Sequence, residues 1–349
     1  MGKRKLLVDL SILRHPMCGL GQIALNYGRW FGEHAAELSE ALDITLLVPK
    51  NYEGAFGRDV HYLRRTSLRH LVPMTMPRFD IWHAISPNTL FRPAWPGTRV
   101  ILTIHDVNFV HEKKPEKQSK YCKKMQRWCN RADELAFISH FVQEDAGRVL
   151  NFEGKPQQVI YNGVEDLTKG RQHRPAAVEP LGDGHFFLSL GEVKEKKNLH
   201  ILLPLMERMQ DYHLVIAGND KTEYAQHLRS IAKSKNIHII GTVNDDERRW
   251  LYAHCDALLF PSTAEGFGLP VIEAMQWGLP VFCSNKTSLP EIGSSHAHYF
   301  TSDDPQAMET LVREGLAAHN TQKATEEKNY AATFNYEKHM RQYLALYLK

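Results

Sequence analysis

Short, unbroken apolar runs recur along the whole chain and constrain its fold more than any other feature. In the first half they are Lys5–Leu10, Ile44–Val48, Ile81–Ile85, Val100–His105, Leu135–Ser139 and Val159–Tyr161; in the second, Phe186–Leu190, His213–Ala217, Ile237–Ile240, Ala257–Phe260 and Pro280–Cys283. A strand that is apolar on both faces needs a cover on both, so these runs read as parallel strands sandwiched between helices. Helix-like stretches separate them, which predicts βαβ units in open, doubly wound sheets of the α/β class. A chain of 349 residues holds two such domains, at roughly 100–200 residues each. The expected organisation is a first domain over 1–165, a Gly/Pro/Arg/Asp-rich linker over 166–184, a second domain over 185–322 and a helical segment over 323–349. In that last segment Tyr336, Met340, Tyr343 and Leu344 form an apolar stripe that has to be buried, with the first domain as its expected partner.

Composition removes several classes of function. Hydrophobic residues at 43% and charged residues at 24% are those of a globular protein with a sizeable core. No run approaches the roughly 20 apolar residues that span a bilayer, and Asp9 interrupts the N-terminal apolar stretch, so export is not expected. The five cysteines are scattered without a Cys-x-x-Cys pair, as for thiols in a reducing cytoplasm. A net charge of +3 suggests no nucleic-acid partner. His296 and His298 lack a third ligand nearby, so no metal site is expected there.

The chemistry concentrates between Phe260 and Met275. A buried strand ends at Pro261, a glycine-containing loop follows, and a helix begins where Pro270 suits the first helical position. Gly266, Phe267, Gly268 and Leu269 then present backbone N–H groups at a helix N-terminus, which favours an anion such as a diphosphate. Glu265 precedes that helix and Glu273 lies one turn inside it; a carboxylate accepts well from adjacent sugar hydroxyls.

This segment resembles the Glu-(seven residues)-Glu signature of retaining glycosyltransferases of family 4, through its E-G-F-G-L-P-x-x-E-A core. The resemblance covers nearly the whole chain and implies the GT-B architecture, two Rossmann-like domains facing a cleft. It also implies that Glu273 holds the ribose hydroxyls and that Glu265 contacts the donor sugar. Gly191-Glu192-Val193-Lys194-Glu195-Lys196-Lys197-Asn198 looks like the family's G-x-x-x-x-[RK]-K-N loop, with Lys196 and Lys197 neutralising the leaving diphosphate. Many members carry Arg where this chain has Glu192 and Lys196. In the first half, Gly19 and Gly21 resemble a G-x-G loop near the donor phosphates, and Thr103-Ile104-His105-Asp106 resembles the T-x-H-D element. The segment with Val243 is similar to the one framing the base, and Thr287–Glu291 to an S-L-P-E loop.

The resemblance thus implies a cytoplasmic hexosyltransferase that retains anomeric configuration, with His105, Lys197 and Glu265 as catalytic groups. No Asp-x-Asp triplet is present, so metal-independent transfer is expected, and no cofactor beyond the nucleotide-sugar donor. The strand-end K-K-N pattern is most like bacterial mannosyltransferases of lipopolysaccharide assembly, which favours GDP-mannose over a UDP-sugar. A nucleotide-sugar 2-epimerase and a non-catalytic binding subunit are the competing readings. The acceptor is expected to be a glycan or lipid-linked glycan. Residues 113–131 interleave Lys117, Lys120, Lys123, Lys124 and Arg127 with Tyr121, Met125, Trp128 and Cys129, which fits either a helix on an anionic membrane's inner face or one packed on its own sheet.

Overall fold

The computed structural model describes residues 2–16, 18–112, 114–182 and 184–349; Lys113 of the basic stretch and Asp183 of the 166–184 stretch lie outside the described residues. The chain divides into two units, one comprising Met1–Gly163 and Tyr336–Lys349, the other Val164–Asn335.

The first unit is built on β1 (Arg4–Asp9), β2 (Leu42–Val48), β3 (His61–Arg64), β4 (Ile81–Ala84), β5 (Arg99–Ile104), β6 (Glu134–Phe137) and β7 (Gln157–Val159). These pair in the order β3-β2-β1-β4-β5-β6-β7, every pairing parallel. Leu6 on β1 faces Ile44 on β2 and Ile81 on β4, the register that runs the apolar runs through the middle of the sheet. The second unit repeats the plan with β8 (Phe186–Leu190), β9 (His213–Ala217), β10 (Ile237–Gly241), β11 (Ala257–Phe260), β12 (Val281–Ser284) and β13 (His298–Phe300), ordered β10-β9-β8-β11-β12-β13 and also wholly parallel. The α/β, doubly wound fold expected from the sequence is the one observed. Two edge strands, β3 and β13, were not anticipated. Both are short, and β3 exposes His61 and Arg64, so neither carries the unbroken apolar run of a central strand.

In each sheet the winding reverses between two adjacent strands, β1 and β4 in the first and β8 and β11 in the second. The loops leaving the C-terminal ends of those strands diverge and leave a crevice, the usual ligand site of open α/β sheets.

The stretch 166–184 lies in the second unit, where the Leu167 N–H donates to Gln276 Oε1 (3.0 Å) and the His173 N–H to the Asp246 carbonyl (3.1 Å). The terminal helix Tyr336–Leu348 lies in the first, with Met340, Tyr343, Leu344 and Tyr347 in its core. Two arginines close the end of this helix: Arg4 donates to the Tyr347 carbonyl (3.0 Å) and Arg99 to the Leu346 carbonyl (2.7 Å), satisfying last-turn acceptors. On its inner face a buried polar network is fully paired. His83 meets the Tyr347 hydroxyl at 2.7 Å and Thr103 at 2.8 Å, and Thr103 meets Tyr343 at 2.8 Å. His339 meets the Tyr161 carbonyl at 2.6 Å and the Tyr27 hydroxyl at 2.8 Å.

Burial holds both imidazoles neutral, with pKa values pushed down to about 3 for His83 and about 4 for His339. The unfolded chain binds these protons from about pH 6.5 downward and the folded chain does not, so their contribution is complete above about 6.5 and is lost as pH falls towards 4 and then 3. Urea unfolding of the first unit is therefore expected to weaken between pH 6.5 and 5 by up to about 1.4 kcal/mol per pH unit for each histidine. His339→Gln should flatten that slope by about half; a pH-independent midpoint over this window would contradict the assignment.

Candidate active site

The crevice of the second unit is walled by the loops after β8, β11 and β12. After β8 the chain passes through Gly191 at φ 138°. A Cβ there would lie 3.2 Å from Lys197 Cε and 3.3 Å from its Nζ, so glycine leaves room for the lysine to fold back across the strand end. A helical turn, Glu195–Lys197, ends at Asn198 in the left-handed conformation (φ 54°), which asparagine tolerates better than most residues. The Lys196 carbonyl then ties this loop to the one after β11: it accepts from the Thr263 N–H (2.8 Å) and the Thr263 hydroxyl (3.1 Å).

That stitch brings Lys197 to Glu265. The ammonium donates to Glu265 Oε1 at 2.5 Å, both side chains being about 13–14% exposed, and it stands 4.6 Å from the centroid of the Phe260 ring. The Ser262 hydroxyl donates to the same carboxylate oxygen at 2.7 Å. Burial pushes the Glu265 carboxyl upward, but Lys197, Ser262 and Lys196 more than offset it and hold the group below its ordinary value. Glu265 is thus an ionised carboxylate with a fixed orientation.

The helix Leu269–Gln276 begins one residue earlier than the sequence suggested, with Gly268 as its N-cap at φ 99° and Pro270 in second position. A Cβ on Gly268 would come within 2.6 Å of Leu289, so both backbone conformation and packing require glycine. The loop after β12 supports the turn from behind. The Glu265 N–H donates to the Thr287 hydroxyl (3.1 Å), and the Ser288 hydroxyl shares its one proton between the carbonyls of Glu265 (3.0 Å) and Phe267 (3.1 Å). Gly266, Phe267 and Gly268 are buried in this arrangement, and Leu269 is half-buried at the first helical position.

Glu273 is buried, and two partners not singled out from the sequence hold it. The Tyr252 hydroxyl donates to its Oε2 at 2.8 Å, and Arg248 Nη1 approaches its Oε1 at 3.4 Å. Both partners lie on one face of the helix Asp245–His254, four residues apart, a spacing that an ordinary surface helix shares. Burial and the adjacent carboxylate keep the Tyr252 phenol protonated, so it donates. A carboxylate has about four lone-pair sites, and these contacts leave acceptor capacity on both oxygens. Val243 is half-buried in the loop between β10 and that helix.

The remaining candidates belong to the first unit. His105 follows β5, and its Nε2–H donates to the Ile85 carbonyl at 2.8 Å. Burial lowers its pKa against the opposing pull of Ile85 and Asp106. The ring is therefore a neutral tautomer whose Nδ1 lone pair is its second polar handle: towards a sugar hydroxyl it accepts rather than donates. Gly21 is demanded by packing, since a Cβ would sit 2.3 Å from the His15 carbonyl oxygen, whereas a Cβ on Gly19 would meet nothing within 4 Å. Of the basic stretch, Pro115–Arg131 is a helix that buries Met125 and Cys129 and stacks Tyr121 on Phe109 (5.4 Å). Its apolar face is thus largely used within the unit. No helix among the described residues is long and apolar enough to cross a membrane.

With this geometry in place, comparison with known proteins is informative. Residues 172–332 match the family described as glycosyl transferases group 1, and residues 31–166 match Glycosyltransferase Family 4. The solved structure of Anabaena HepE in complex with UDP and glucose superposes with a TM-score of 0.72 at 16% identity, covering 99% of each chain. The chain is GT4-like, with the GT-B glycosyltransferase fold. Among curated relatives, O-antigen chain mannosyltransferase B of Escherichia coli is 26% identical over 62% of this chain and 61% of its own length. O-antigen chain mannosyltransferase RfbU of Salmonella typhimurium is 24% identical over 61% of this chain and 59% of its own length. The matches thus span about three-fifths of those relatives.

The pairing of Lys197 with Glu265 is directly measurable. Lys197→Met leaves a buried carboxylate without its counter-ion and Glu265→Gln leaves a buried ammonium; each is expected to destabilise the second unit by about 3 kcal/mol. The double variant should lose clearly less than the sum in a urea-unfolding cycle. Strictly additive losses would show that the two charges do not interact.

Proposed function

We propose that this chain is a retaining glycosyltransferase that moves a hexose from a nucleoside-diphosphate sugar to an acceptor hydroxyl in the assembly of a bacterial surface polysaccharide. The observation that carries this reading is the buried Lys197–Glu265 pair beside the N-terminus of Leu269–Gln276, with Glu273 held further along that helix. The backbone N–H groups at 266–269, together with Lys196 and Lys197, receive the diphosphate as charge develops on it. Glu273 accepts from the ribose hydroxyls, Glu265 from the donor sugar, and His105 accepts a sugar hydroxyl through Nδ1. Val243 borders the base.

Both glutamates are engaged by cations and hydroxyls, which disfavours either as the nucleophile of a double displacement. A front-face displacement fits better. The bond from C1 to the phosphate oxygen breaks, the acceptor oxygen bonds to C1 on the same face, and its proton passes to the leaving phosphate. Lysines and a helix terminus supply positive charge, so transfer is proposed to proceed without a metal.

The mannosyltransferase names of the relatives favour GDP-mannose as donor, while HepE, with UDP and glucose, keeps a UDP-sugar as the alternative. A thermal-shift comparison of GDP, UDP and ADP separates these, since a ligand at a hundredfold its Kd adds about 2.7 kcal/mol to the native state. With the selected donor, Lys197→Ala is expected to lower kcat by about a hundredfold and Glu273→Gln to raise donor KM by about tenfold. Turnover should survive EDTA. Conversion of the donor sugar to its 2-epimer in the absence of acceptor would instead establish an epimerase.

A further inference from the structure

Four large apolar side chains stand in solvent within one short segment of the first unit: Leu68 at 60% exposure, Leu71 at 74%, Val72 at 45% and Met74 at 56%. They occupy the helical turn Ser67–Leu71 and the turn Pro73–Thr75 that follows it. So dense an apolar exposure marks a surface that something else covers. Its surroundings identify what. His70, in the same turn, meets the edge of the Phe91 ring at 6.2 Å, and the Arg65 guanidinium lies 5.8 Å from that ring's centroid. Leu90, 41% exposed, extends the apolar strip.

Beside the strip opens a pocket at the point where the first sheet reverses its winding, lined by Arg14, Arg65, Asn88 and Leu90. Asp9 at its floor is occupied in holding the far wall, accepting from the Ser11 N–H (3.0 Å) and from the Thr89 hydroxyl. Lys124, on the helix Pro115–Arg131, reaches Asn88 at 3.4 Å. Its ammonium is weakened first by burial and then by Arg14, a like charge close by. Arg65 and the buried Asp9 carboxylate of the same pocket attract each other, and Arg14 and Lys124 add two further cations. Three cations around one buried carboxylate leave an excess of positive charge, which next to apolar side chains in water is complementary to an anionic amphiphile.

We propose that this edge of the first unit seats on an anionic lipid surface, with Leu68, Leu71, Val72 and Met74 entering the acyl boundary and Arg14, Arg65 and Lys124 receiving lipid phosphate. The exposed Lys117, Lys120, Lys123 and Arg127 add longer-range attraction, at roughly 1 kcal/mol per cation near an anionic leaflet. The helix bearing them contributes charge and not insertion, because Met125 and Cys129 face inward. The test of this surface uses no donor, so its failure is distinguishable from failure of the transferase reading.

The test is co-sedimentation of the full chain with phosphatidylglycerol vesicles and with phosphatidylcholine vesicles, circular dichroism melting serving as the control for folding. The wild type is expected to bind phosphatidylglycerol preferentially and to be released by salt. A Leu68→Ser/Leu71→Ser variant should bind both vesicles at least about tenfold more weakly, and Arg14→Gln/Arg65→Gln should lose the preference for phosphatidylglycerol while melting as the wild type does. Binding that survives the leucine changes, or no vesicle binding by the folded wild type, overturns the proposal. So does stabilisation by inorganic phosphate, abolished in Arg14→Gln/Arg65→Gln, without vesicle binding, since the pocket would then serve a free phosphate.

Discussion

A parallel sheet wound in both directions from one strand leaves a crevice where the winding reverses, and the candidate chemistry of each unit is organised around that point. In the second unit the reversal between β8 and β11 sets two loops side by side, and the Lys196 carbonyl, accepting from the Thr263 N–H and hydroxyl of the opposite loop, fixes their separation. Only with that separation fixed can a lysine after one strand meet a glutamate after the other. The ion pair is therefore a consequence of the topology, and the glycines at 191 and 268 are the local conditions for it: one makes room for the lysine, the other lets the chain turn into the helix.

A buried ion pair is a poor source of net stability, since desolvating two charges offsets most of their attraction. Its persistence at this position argues for a different use. Lys197 and Ser262 hold the Glu265 carboxylate ionised and oriented before any ligand arrives, and Tyr252 and Arg248 do the same for Glu273. Groups fixed in advance need no rearrangement when a charged ligand binds. The first unit applies the same economy to structure: its buried histidines are neutral and fully paired, fastening the terminal helix to the sheet.

Central strands were legible in the sequence because burial on both faces writes an unbroken apolar run, as at Ile81–Ile85 or Ala257–Phe260. Edge strands β3 and β13 were not, because one side of such a strand meets solvent and its residues follow no apolar rule. The same limit governs the site. Lys197 and Glu265 could each be named from local motifs, yet their contact joins residues 68 positions apart and depends on strand order, which no local pattern carries. Arg248 and Tyr252 were hidden for another reason: a helix that turns two polar side chains inward has the same spacing as one that turns them outward.

Tautomer is a further property that only the fold determines. From the sequence His105 was a histidine of a T-x-H-D element with no tautomer assigned; the Ile85 carbonyl takes its Nε2 proton and leaves the Nδ1 lone pair. With its pKa lowered by burial, the ring adds no positive charge to the first unit at neutral pH. Positive charge there comes from Arg14, Arg65 and the exposed lysines of Pro115–Arg131. Under the proposed function the unit separates two tasks: electrostatic attraction, supplied by these cations, and hydrogen bonding to a hydroxyl, supplied by a neutral imidazole whose orientation the Ile85 carbonyl sets.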